Sequence, residues 1–78
     1  MPTTLLSIGY AQVMTQNQVF ALPSGRCLLF SDTAGTYEQA NVVTGPFIAL
    51  VLTNGEAEVA GGFIRCTTAS PTVILKPE

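Results

Sequence analysis

Apolar and polar residues follow one another along this chain with the period of a pleated strand, in short runs broken by turn residues about every ten positions. Gln18–Leu22 is the first clear run, and Pro23-Ser24-Gly25 closes it, Pro fixing φ and Gly accepting the left-handed region. Arg26–Ser31 follows and ends at Asp32-Thr33-Ala34-Gly35. Thr36–Val43 alternates Glu38, Ala40 and Val42 with Tyr37, Gln39, Asn41 and Val43, the pattern of a half-exposed strand. After Gly45-Pro46 the run Phe47–Thr53 is apolar on both sides of the pleat. Asn54-Gly55 is a strong hairpin signal, because a type I′ turn needs φ > 0 at both central residues, so Glu56–Ala60 is expected as the return strand. Gly61-Gly62 marks a bend before Phe63–Thr68, and Ser70-Pro71 leads into a last strand over Thr72–Lys76.

The first sixteen residues are harder to place. Ile8, Ala11 and Met14 have helical spacing, but Gly9 interrupts them, no N-cap precedes them, and the polar Thr15-Gln16-Asn17-Gln18 ends them. Leu6, Ile8, Tyr10 and Met14 alternate equally well with smaller residues, which favours an extended segment. Seven short strands and no crossover helix predict an all-β fold, a small antiparallel β-sandwich or barrel. On this reading residues 1–16 form an extended N-terminal arm and residues 17–78 a single β domain. A faint echo between residues 21–32 and 59–70 fits two similar strands better than a duplicated unit.

Composition changes the picture chiefly through what is scarce. In 78 residues only 10% are charged, against about 25% in an ordinary soluble domain, while the apolar fraction of 47% is normal. Thr, Ser, Asn, Gln and Gly fill the gap. A net charge of −2 repels other copies weakly. Arg26, Arg65 and Lys76 against five acidic residues leave no electrostatic footprint for a polyanion, so direct binding of nucleic acid is not expected. The start of the chain lacks the basic stretch and cleavage site of a secretory signal, and no apolar run approaches the length that spans a bilayer, so no membrane partner is expected.

Catalytic chemistry is equally sparse. With no histidine, the usual general base at neutral pH and the commonest metal ligand are missing. Glu56 and Glu58 share a side of their strand, but a solvated face beside a tight turn explains them. Asp32 and Glu38 lack the dense ligand spacing of a calcium loop. None of the glycines opens a helix after a strand, as a phosphate cradle requires. Cys27 and Cys66 read first as small buried hydrophobes, with a disulfide open if their strands are neighbours, and they lack the spacing of a zinc site. No enzyme activity, cofactor or metal is expected.

What remains is surface. Residues 47–52 and 72–75 are apolar on both sides of the pleat, whereas a lone sandwich needs one buried face per strand. Edge strands with so few cations are poorly guarded against pairing. Self-association or docking on a repetitive surface is therefore expected, with Leu5, Leu6, Ile8, Tyr10, Phe47, Ala49, Val51 and Ile74 as interface candidates and the N-terminal arm reaching to a neighbour. The run VFALPSGRCLLFSDTAGTYEQA, followed by AEVAGGFIRCTTASPTVILKP, resembles small β-rich virion structural proteins of tailed bacteriophages over roughly residues 18–77. The resemblance implies a capsid decoration or cement protein on the virion surface, a homotrimer or other homo-oligomer whose partner is the major capsid protein. A tail, adaptor or fibre-associated virion component and a non-viral β-sandwich binding module are the alternatives.

Overall fold

A computed structural model describes residues 3–33 and 35–77. Nine short strands are arranged in two sheets, and no helix occurs among the described residues. The five-stranded sheet has the order β1 (Thr4–Leu5), β3 (Phe20–Ala21), β8 (Phe63–Cys66), β5 (Tyr37–Ala40), β6 (Ile48–Leu50). The four-stranded sheet has the order β2 (Ala11–Val13), β9 (Thr72–Pro77), β4 (Arg26–Ser31), β7 (Glu56–Ala60). All named pairings are antiparallel except β1 with β3. The expected β-sandwich is thus formed, and each of the seven expected runs contains a strand.

Period-two alternation places the core. Cys27 and Leu29 of β4, Val73 and Leu75 of β9, and Val59 of β7 are buried from one sheet; Phe20, Tyr37, Ile64 and Cys66 are buried from the other. Their sequence neighbours Leu28, Phe30, Ile74 and Arg65 lie on the outer faces and are only half-buried. Cys27 and Cys66 are both buried free thiols that fill this core.

Two expectations are corrected. Asn54 and Gly55 do adopt positive φ (56° and 79°), and Thr53 and Glu56 exchange both backbone hydrogen bonds across them, at 2.9 and 3.1 Å. Yet the flanking strands do not form a hairpin, since β6 pairs with β5 and β7 pairs with β4 over five residues. The tight turn is a corner that carries the chain from one sheet to the other. A turn sequence fixes a reversal of direction; the long ladder with β4 decides the partner.

The second correction concerns the N-terminal segment. It is extended, as expected, but it closes the opposite side of the chain's own sandwich. β1 adds to the five-stranded sheet, Ile8 bridges Leu75, and β2 adds to the four-stranded sheet. Leu6 (1% exposed) and Met14 (0%) are core residues, so Leu6, expected at an interface, is packed inside. An arm whose alternate side chains are greasy has more to gain from its own core than from a distant neighbour.

Candidate functional site: two uncharged flanks

Both sheets end in the same two flanks. β1 and β2, joined by residues 6–10, form the first; β6 and β7, joined at the Asn54-Gly55 corner, form the second. Eight charged side chains are spread over the whole sequence, yet residues 1–25 and 39–55 contain none. These two stretches supply the first flank and the β6 side of the second.

The exposed large apolar residues fall entirely within the same stretches. Leu5 (57%), Ile8, Tyr10 (69%) and Val13 protrude from the first flank, and Val42, Val43, Ile48 (62%) and Val51 (79%) from the second flank and the loop that leads to it. Val42 and Ile48 line one depression with Pro46. Of the interface candidates read from the sequence, Leu5, Ile8 and Tyr10 belong to the first flank and Ala49 and Val51 to the second, all exposed. Phe47 and Ile74 are half-buried on outer faces and belong to neither cluster. Val13, Val42, Val43 and Ile48 were missed. The signal that finds them is the two charge-free stretches, which mean little until the topology turns each into an edge.

Edges differ in how they are guarded. Glu56 and Glu58 project from β7, and a charged edge strand resists pairing with another chain. β6 carries Ile48, Ala49 and Leu50 and has no such protection. On the outer face of the five-stranded sheet the charges are already engaged: Arg65 Nε donates to Glu38 Oε1 at 2.8 Å across the β5–β8 ladder, and its guanidinium lies 4.0 Å from the centre of the Phe47 ring. On the four-stranded sheet Lys76 sits 5.1 Å above the Phe30 ring.

Beside β6 a cleft of about 510 Å³ opens, lined by Tyr37, Leu50, Val51 and Leu52 from the five-stranded sheet and the segment after it, and by Ser31, Asp32 and Thr33 from the end of β4 and the turn that follows. The Tyr37 hydroxyl donates to the carbonyl of Thr33 at 2.8 Å and shares a short hydrogen bond with Ser31 Oγ. Burial raises the Tyr37 phenol above its ordinary value, outweighing the Ser31 hydrogen bond that pulls it down, so it stays a neutral hydroxyl. Among the described residues that line the cleft none is cationic, and Asp32 is the one charged group. Its carboxylate accepts from the neighbouring Thr33 Oγ1 at 2.8 Å and from the backbone N–H of Thr72 at 3.1 Å.

Among the described residues no group of three or more His, Cys, Asp or Glu side chains is placed to hold a metal ion. No helix is long and apolar enough to cross a membrane. No family model matches the chain, and no curated protein or solved structure matches it either.

Proposed function

We propose that this protein is a structural component that works by associating with copies of itself, and that it belongs to a tailed-phage virion as a decoration or cement protein of the head. The observation that carries the self-association is that its exposed large apolar side chains all lie in residues 1–25 and 39–55, the two stretches without a charged side chain, which form the β1–β2 flank and the β6 edge. Monomeric proteins expose isolated apolar residues freely, but clusters that lie on unguarded sheet edges mark interaction sites.

Magnitudes agree. Fully covering a Val, Leu or Ile side chain contributes roughly 1.5–3 kcal/mol. A contact that shelters four such residues from each of two copies is therefore of the size needed to offset the ~4–15 kcal/mol that association costs. A sequence without histidine fits a protein whose work is adhesion. The assignment to a virion rests on the sequence resemblance, which implies a shell lattice and the major capsid protein as the surface beneath the oligomer.

Following the chain through purification of virions tests the assignment. It is expected to sediment with DNA-filled heads, and stripping it is expected to lower their resistance to heat and osmotic shock. Recovery of all the protein in the soluble fraction, with particles of unchanged resistance in its absence, would refute the virion role.

A further inference from the structure

We infer that the two flanks bind each other, the β1–β2 flank of one copy against the β6 flank of the next, in a head-to-tail contact that repeats around a closed ring. This rests on the self-association reading and specifies its geometry.

Strand direction is the first support. β1 is parallel to β3, β3 is antiparallel to β8, β8 to β5, and β5 to β6. Hence β1 and β6, the two open ends of one sheet, run in opposite directions. Copies that keep a common strand direction bring β6 of one beside β1 of the next as an antiparallel pair, the more stable ladder. The five-stranded sheet then continues from copy to copy.

Charge gives the second. β1 and β6 carry no charged side chain, so pairing them buries no ionised group of either strand, and Asp32 in the cleft beside β6 already accepts from Thr33 Oγ1 and the Thr72 N–H. A contact through β7 would instead bring Glu56 and Glu58 to the join. Coverage gives the third: a two-fold contact of β6 with β6 would leave Leu5, Ile8, Tyr10 and Val13 in water, whereas a head-to-tail contact shelters both clusters with one interface. Shape agrees, since the first flank projects Tyr10 and the second has the cleft walled by Leu50, Val51 and Leu52, with ample room for one phenol ring. Tyrosine is also among the residues that most often anchor interfaces. Heterologous contacts of this kind either close into rings or grow without end, and a single largest cross-linked species distinguishes the first from the second.

Single-cysteine variants distinguish the arrangements. Leu5→Cys and Ile48→Cys would be prepared separately and treated with a short bismaleimide, alone and mixed; the native thiols are buried, and the wild-type chain serves as the blank. The mixture is expected to give a cross-linked pair containing one of each variant, exceeding the yield from either alone by about tenfold, a preference of ~1.4 kcal/mol. Leu5→Cys/Ile48→Cys in one chain should cross-link to a single largest species. Thr4→Cys and Ala49→Cys, exposed on the same strands, repeat the test if the first pair disturbs folding. An oligomer in which Ile48→Cys cross-links to itself as well as it does to Leu5→Cys, or in which neither pair reacts above the blank, overturns the head-to-tail contact and leaves self-association standing. A chain that remains monomeric in sedimentation overturns both, and cross-linking only after addition of another protein overturns the choice of a second copy as the occupant.

Discussion

Leu5 and Leu6 are adjacent and chemically identical, yet the structure assigns them opposite roles, and truncating each in turn tests that assignment. Leu6 is 1% exposed within the core cluster, in contact range of the same interior as Met14, Leu22 and Ile64; Leu5 is 57% exposed. Removing a buried leucine to the β-carbon costs about 2–5 kcal/mol, transfer and cavity together. A surface truncation stays within about 0.5 kcal/mol. A domain of this size has a total stability of roughly 4–12 kcal/mol at 0.05–0.15 kcal/mol per residue, so Leu6→Ala removes at least about a sixth of it. Each kcal/mol shifts the midpoint of a small domain by about 4–8 °C, which puts the Leu6→Ala transition at least about 8 °C below wild type. Leu5→Ala should match wild type in the monomer and lose association instead. Thermal unfolding followed by circular dichroism, at a dilution where only monomer is present, reads both. Equal midpoints for Leu6→Ala and wild type would show that residues 3–16 are not part of the folded core, and the arrangement of the first flank would fall with them.

Other consequences follow from single positions. Gly61 and Gly62 both have positive φ (72° and 81°), but a β-carbon on Gly61 meets open space, whereas one on Gly62 would stand 2.5 Å from the carbonyl oxygen of Ala40. Gly61→Ala should cost about 1–2 kcal/mol in backbone strain, and Gly62→Ala measurably more in the same denaturant titration; equal costs would contradict the close approach. The raised Tyr37 phenol means that the folded state holds this proton more tightly than the unfolded chain does. Its contribution is therefore complete below the unfolded value near 10 and is lost as pH rises above it. Urea unfolding should show a decline above about pH 10 that Tyr37→Phe reduces; an identical slope in the variant would refute the assignment. Cys27 and Cys66 should react with a thiol reagent only on unfolding, at a rate set by denaturant, and rapid labelling of the native chain would contradict their burial.

How much of this was legible in the sequence depends on whether local chemistry or topology decides the feature. Arg26–Ser31 and Glu56–Ala60 coincide with β4 and β7 because turn residues bracket each run and alternation marks the buried side. The sequence predicts one strand over Phe47–Thr53, yet only Ile48–Leu50 joins the sheet, because the chain must leave it to reach the corner at Asn54-Gly55, where Thr53 pairs with Glu56 instead. The same corner misled the reading of pairing, since turn chemistry is local and ladder choice is not. β1 and β2, with two and three residues, are too short for alternation to register, and Met14 is buried where β2 joins β9, more than fifty residues away in the sequence. The exposed apolar flanks were half legible. A shortage of charge and a surplus of apolar strand are plain in the composition, and of the interface candidates Leu5, Ile8, Tyr10, Ala49 and Val51 are exposed. The convergence of two uncharged stretches on the two ends of one sheet appears only in the fold.

Sedimentation equilibrium of the purified chain from micromolar to millimolar concentration, beside Ile48→Lys, addresses the central claim most directly. The wild-type chain should show a concentration-dependent mass that saturates at a small integral multiple of its 8.2 kDa. Ile48→Lys, which places a charge on the exposed second flank, should remain a folded monomer. A wild-type mass that stays at the monomer value throughout, or an oligomer that Ile48→Lys leaves intact, would contradict the account.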